Sequence, residues 1–363
     1  MKRLSLIIAI LFIINIFTLN LSAQILTENK SVAGVNVNMV KVKLQDGVKL
    51  RTAKANDKLI GSKAFGAMIN DYGAKAAINA NYFDAYKTLE PMATIIKGGN
   101  VIHMVGNSAS LMVYDNNKVH MDTVTLKYFG FLDGKKENKY IVETNKMEFN
   151  TFNIWYVNTP MNDTSGVYMY TKYRNADIVL NEGTVIEVVN NKVSRTYKPQ
   201  GKVIIPDNGY IIYYGKDAAD SEYINARFRV GRTVGLELID QNNSKTFKAG
   251  DKDIPYSSIT DMIAAGPMLV KDGKNVVKDS KASFKEEKIY KNAAPRSAIG
   301  VTADNYLIML TTSATVDKLA EVMLSLGCVN AMNLDGGASS GLYANGRMIK
   351  TPGRNLNTIF MVQ

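Results

Sequence analysis

Near the C-terminus, Asn333-Leu334-Asp335-Gly336-Gly337-Ala338-Ser339-Ser340-Gly341 sets a carboxylate directly after an apolar run and directly before paired glycines. Glycines let the main chain approach a ligand closely and turn amide hydrogens toward an anion such as phosphate. Asp335 is therefore a candidate acid, base or nucleophile, and the amides of Gly336 and Gly337 are candidate phosphate ligands. A plain Asp-Gly-Gly turn joining two strands is the alternative. The run also contains G-x-S-x-G, but a serine-hydrolase elbow needs a helix after the serine and a later histidine. Here Leu342-Tyr343 leads into an Asn345-Gly346 turn, and the last histidine is His120.

Two further segments carry polar chemistry beside apolar runs. In Ala294-Pro295-Arg296-Ser297-Ala298-Ile299-Gly300-Val301, Arg296 precedes a strand, and its planar fork suits two phosphate oxygens; an edge-strand arginine in solvent is the alternative. Ala265-Gly266-Pro267-Met268-Leu269-Val270 reads as a strand entering the Lys271-Asp272-Gly273-Lys274 turn. His103 and His120 have no partner at ligand spacing, so no histidine metal site is expected. No cofactor is expected, and a hard cation such as calcium or magnesium on carboxylate and carbonyl oxygens stays open. Cys328 sits in an apolar stretch and reads as core.

The elements that must position these residues are mostly short strands: Val101–Val105, Ser110–Tyr114, Lys118–Met121, Ile178–Leu180, Thr184–Val189 and Gly209–Tyr214. Hairpin-sized turns are expected at Asp115-Asn116-Asn117, Asn190-Asn191 and Pro206-Asp207-Asn208-Gly209. Two segments have helical spacing instead. Phe65, Met68, Ile69 and Tyr72 follow a candidate cap at Ser62 and stop at Gly73; Val316, Leu319, Ala320 and Met323 follow Thr315 and stop at Gly327. After each closing glycine comes a short apolar strand and a polar segment, Asn79-Ala80-Asn81 in one case and Asn333-Leu334-Asp335 in the other. The match predicts two related helix–strand units delivering loops to one cleft, with chance spacing as the alternative. The expected fold is α+β, strand-rich, a single domain over residues 24–363.

Lys2 and Arg3 precede an apolar run from Leu4 to Leu19 that closes at Leu21-Ser22-Ala23, the pattern of a signal peptide cleaved after Ala23. An exported, periplasmic or extracellular protein is expected, with no membrane span after processing; a retained anchor is the alternative. At 46% hydrophobic residues the chain can furnish a core, which excludes disorder. Two of its +11 formal charges lie on Lys2 and Arg3. The remainder fits an anionic partner or a solvated lysine surface, and the absence of basic runs argues against nucleic acid.

Taken together, four segments in order resemble the phosphodiester glycosidase family: Asn79-Ala80-Asn81-Tyr82-Phe83, Ala265–Val270, Pro295–Gly300 and Asn333–Ser340. Weaker similarities at Val157–Pro160, Tyr168–Tyr170 and Ile205–Tyr210 extend it over most of the chain from about residue 36 onward. The resemblance implies a site containing Asn79, Gly266, Arg296, Asn333, Asp335, Gly336, Gly337, Ser339 and Ser340. It implies hydrolysis between a sugar's anomeric carbon and a phosphodiester, with Asp335 as base or charge stabiliser, Arg296 and the loop amides on phosphate, and Asn79 and Asn333 orienting hydroxyls or water. The partner would be a sugar-1-phosphodiester or glycan. Ala80-Asn81, Ala338 and Thr311-Thr312-Ser313 depart from the family pattern. A non-catalytic envelope protein binding an anionic polysaccharide is one alternative, and a metal-dependent enzyme cutting P–O is another.

Overall fold

Alternation of apolar side chains along the strands sorts them onto two faces. In Tyr306–Ala314, Leu307 and Met309 enter one cluster while Ile308 and Leu310 enter another; in Val35–Lys43, Val40 and Val42 separate from Val37 and Met39 in the same way. A sheet buried on both faces needs a cover on its outer side, and the helix Val316–Ser325 supplies it with Val316, Leu319, Val322 and Met323. Each such side chain withdrawn from water contributes about 1.5–3 kcal/mol.

The chain is described over residues 24–280 and 292–363 by a computed structural model, and the leader read over residues 1–23 lies outside them. Strands dominate and helices are few. The largest sheet is antiparallel and runs Ile25–Val32, Val35–Lys43, Tyr306–Ala314, Ala294–Thr302, Cys328–Asn333, Met268–Lys271, Lys274–Asn275. A second sheet orders Leu50–Lys54, Thr358–Val362, Ala76–Asn79, Leu342–Ala344, Arg347–Lys350, and a third orders Asn100–His103, Ile95–Lys97, Asp261–Ala265, Ser108–Tyr114, Lys118–Val124. Met309, Met332, Ile78, Phe360, Leu111 and Ile263 bring all three into one core. The sheets formed by strands between Leu126 and Pro255 are nested within the chain that builds those three, and Val157 bridges back to Met104.

The second sheet is also covered by a helix, Phe65–Tyr72, whose Phe65, Met68 and Ile69 pack on Ala53, Ala77, Ile359 and Met361. It ends at Gly73, which is left-handed, while Gly327 after the other helix has φ +80°. Thr315 caps the second helix by accepting from the Lys318 N–H at 3.2 Å. Ser62 does not cap the first. That helix begins at Phe65 with Ala64 in the cap position and no side-chain bond, because the chain just before it is held by the bridge from Lys63 to Leu356.

Asparagine- and aspartate-rich turns form where two consecutive positive φ angles are needed: Asp115-Asn116, Asn190-Asn191 and Asp272-Gly273. Pro206–Gly209 turns the chain but makes no hairpin, since Gly201–Val203 pairs with Ile178–Leu180 and Gly209–Tyr214 with Thr184–Val189. Cys328 is buried and its thiol is pushed up to about 12 by burial, in keeping with a core role. Among the described residues no helix is long and apolar enough to cross a membrane.

Candidate functional site

The loop that begins at Asp335 joins Cys328–Asn333 in the largest sheet to Leu342–Ala344 in the second. It is therefore a crossing between sheets, neither the plain hairpin turn nor a nucleophile elbow, since only a single 3-10 turn at Gly337–Ser339 precedes the next strand. Asn79 closes this loop across its base. Its Nδ2 donates to the Asp335 carbonyl at 2.5 Å, and its Oδ1 accepts from the Gly341 N–H at 3.0 Å and from Ser297 Oγ at 2.7 Å. One buried amide so fixes both ends of the loop and ties it to the strand carrying Arg296. The Asp335 N–H donates to the Ala80 carbonyl at 3.0 Å, so the segments after both helices are in direct contact.

Arg296 lies in Ala294–Thr302, a central strand of its sheet, and is buried; the solvent-edge alternative is excluded. Its Nε donates to the Ala314 carbonyl at 3.3 Å and one Nη to the Asn292 carbonyl at 2.8 Å. Burial lowers its pKa, and nearby Tyr82 opposes that shift. Gly336 crosses directly over this strand: a Cβ there would sit 2.8 Å from the Pro295 carbonyl oxygen and 3.8 Å from Arg296 Cα. Gly337 is left-handed and exposed. Thr311-Thr312-Ser313, where the sequence departs from the family pattern, lies beside Arg296, with Thr312 its register partner.

Asn333 is fully buried. Its Nδ2 is spent on Tyr82 Oη, the Gly266 carbonyl and the Leu334 carbonyl at 2.8–2.9 Å, while its Oδ1 has no hydrogen-bond partner among the described residues. Gly266 is equally occupied: its N–H donates to the Asn333 carbonyl at 2.9 Å, and its carbonyl accepts from Asn333 and from Tyr82 Oη at 2.7 Å. The two asparagine amides and Gly266 thus hold protein atoms. Ser339 and Ser340 differ, because both hydroxyls are buried with no hydrogen-bond partner among the described residues. A buried polar group left unmade costs about 1–3 kcal/mol, so such groups call for an explanation. Asp335 is half-buried at the mouth of this arrangement.

The site residues assigned from sequence are thus brought together in three dimensions. Tyr82 and Ser297 belong beside them and were not picked out, although each stands within a family-like segment. His103 is buried, hydrogen-bonds the Ala93 carbonyl through Nδ1 at 2.8 Å, and is pushed down to about 3 by burial. Among the described residues no group of histidine, cysteine, aspartate or glutamate is arranged to hold a metal ion. A separate cavity of about 410 Å³, lined by Arg51, Lys54, Lys97 and Asp261 among others, shares no residue with the loop.

The family model described as phosphodiester glycosidase matches residues 174–363. This chain belongs to the phosphodiester glycosidase family. The fold of this chain is shared by a hypothetical protein from Synechocystis, at 20% identity and a TM-score of 0.74, over 93% of this chain and 61% of that one. The chain thus spans about three fifths of that protein's length. A Burkholderia pseudomallei protein, provisionally described as exported, aligns at 17% identity and a TM-score of 0.65 over 91% of this chain and 74% of that one. The catalytic domain of a zebrafish N-acetylglucosamine-1-phosphodiester alpha-N-acetylglucosaminidase, auto-inhibited by its pro-peptide, aligns at 12% identity and a TM-score of 0.47 over 94% and 83%. No curated protein matches the chain.

Proposed function

We propose that this chain is an exported hydrolase that cleaves the bond between a sugar's anomeric carbon and a phosphodiester oxygen. The observation that carries the reading is the Asp335–Gly341 loop, held at both ends by Asn79 and crossing Arg296, with two buried hydroxyls inside it that have no partner among the described residues. Asp335 deprotonates water or stabilises positive charge at the anomeric carbon; the water oxygen bonds to that carbon as the C–O bond breaks, and a phosphomonoester leaves. That anion is already a good leaving group, so one carboxylate suffices. Ser339, Ser340 and the Gly336-Gly337 amides supply the phosphate donors in a preorganised site, and Arg296 faces the same loop. Asn79, Asn333 and Gly266 act as positioning groups. The proposed export rests on the leader pattern and has a parallel in the Burkholderia protein.

A panel of sugar-1-phosphodiesters turned over in labelled water tests this. Label in the released sugar is expected. Label in the released phosphate would mean P–O cleavage, and no turnover across the panel would leave a carbohydrate-binding protein.

A further inference from the structure

Beyond the glycine loop, the segment after Tyr82 folds into a tight excursion that holds one aromatic ring out in water. Asp84 organises it. Its carboxylate accepts the N–H groups of Tyr86, Lys87 and Thr88 at 3.2–3.4 Å and the Thr88 hydroxyl at 3.2 Å, and these bonds hold its pKa below the usual carboxylate value. The Asp84 N–H donates to the Glu90 carbonyl and its carbonyl accepts from Leu89, which closes the excursion, and Glu90 pairs with the partly buried Arg174 at 2.9 Å. The excursion is therefore a fixed projection.

At its tip Tyr86 is 84% exposed, the most exposed large hydrophobic side chain among the described residues, and nearby Met92 is 63% exposed. Burial gains nothing from Tyr86 in this position. Its ring is nevertheless held: Arg354 lies with its guanidinium carbon 4.9 Å from the ring centroid and donates an Nη–H to the phenol oxygen at 2.8 Å. Arg354 has no carboxylate partner among the described residues. It follows Gly353, whose N–H donates to the Ala338 carbonyl at 2.7 Å, so the pair is bolted to the glycine loop itself. On the other side the excursion continues from Tyr82, the residue that contacts Asn333 and Gly266.

We infer that Tyr86 and Arg354 form a saccharide subsite at the rim of the loop, which binds the group on the far side of the phosphate when that group is itself a sugar. The C–H face of a pyranose is apolar and stacks on an aromatic ring, and a rigid tyrosine gives that area at small entropic cost. Arg354 pre-orients the ring and keeps donors for hydroxyls or for a further anionic group, a preorganisation that raises affinity without adding contacts. The placement of the subsite relative to the bond cleaved rests on the function proposed above; the stacking itself does not.

Two substrates with the same donor sugar and phosphate, one esterified to methyl and one to the primary hydroxyl of a methyl hexoside, separate these. The expected result is a kcat/KM preference for the hexoside ester that Tyr86→Ala reduces roughly five- to tenfold, the scale of one aromatic contact. Tyr86→Phe should keep most of the preference. Tyr140→Ala, which removes an exposed ring in the separate strand Lys139–Ile141, should leave it unchanged. Because Tyr86 is exposed, its replacement should not lower the melting temperature, so a loss of preference is not a folding defect. An unaltered preference in Tyr86→Ala overturns the subsite. If the wild type cleaves neither ester, the proposed reaction fails, and calorimetric titration with the hexoside ester decides the subsite: binding weakened by Tyr86→Ala supports it and equal binding overturns it.

Discussion

In the proposed reaction Asp335 is the residue on which the chemistry turns, and its backbone is held from both sides by Asn79 and Ala80. Asp335→Asn keeps the shape and removes the charge, so turnover should fall at least about a hundredfold while circular dichroism stays that of the wild type. A folded Asp335→Asn protein with near-normal activity would remove Asp335 from the mechanism. Asn79→Ala should behave differently: it strips three hydrogen bonds from a buried base and leaves their partners unmade, so about 2–4 kcal/mol of stability should go together with activity, read by denaturant titration. Arg296 donates to two carbonyls that a single ammonium cannot serve in the same geometry. Arg296→Lys is expected to be nearly as damaging as Arg296→Ala at both low and moderate salt. A lysine variant close to wild type, with a residual defect that salt screens, would make Arg296 a contributor to the field only. Asn79, Arg296, Asn333 and Asp335 were legible because each interrupts an apolar run at a strand end. Tyr82 and Ser297 were not, because their partners Gly266 and Asn79 lie far away in sequence and only strand pairing brings them near.

At the scale of elements, the glycine pair is explained by two separate demands. Gly336 must pass under the Pro295 carbonyl, where Gly336→Ala would place a methyl 2.8 Å from backbone oxygen; a loss of about 1–3 kcal/mol is expected, visible as a lower melting temperature. Gly337 has open space around it and needs glycine for its positive φ alone. Sequence patterning located the strands well where asparagine turns bound them, as at Ser108–Tyr114 and Thr184–Val189. It placed the cap of the first helix wrongly at Ser62, since a serine upstream of a periodic run says nothing about a cross-chain bridge such as Lys63 to Leu356. Nor did it show that the two helices cover two different sheets, a matter of pairing between distant strands.

At the scale of the whole molecule, the junction of the second and third sheets buries Asp261, whose Oδ1 accepts from the Thr52 N–H at 2.7 Å with Arg51 3.7 Å from Oδ2. Burial pushes this carboxyl up to about 6. A raised carboxylate pKa means the folded state holds the proton more tightly than the unfolded one, so this contribution is present below about pH 4 and lost as pH rises through about 6. His103, pushed down to about 3, has the opposite slope: its contribution is present above about pH 6.5 and lost as pH falls. The difference between wild type and Asp261→Asn isolates the first term. From pH 4 to pH 7 the variant should gain about 2–3 kcal/mol relative to wild type in urea titrations, and parallel curves would show that Asp261 does not titrate there. The same sheet holds Thr358–Val362 between Leu50–Lys54 and Ala76–Asn79. During synthesis those two flanking strands leave the ribosome long before the strand that joins them, so the frame around Asn79 stays open, with bare edges, until Thr358–Val362 has emerged. Loss of Thr358–Val362 would therefore leave Leu50–Lys54 and Ala76–Asn79 facing each other with bare edges, in an aggregation-prone chain that cannot frame Asn79.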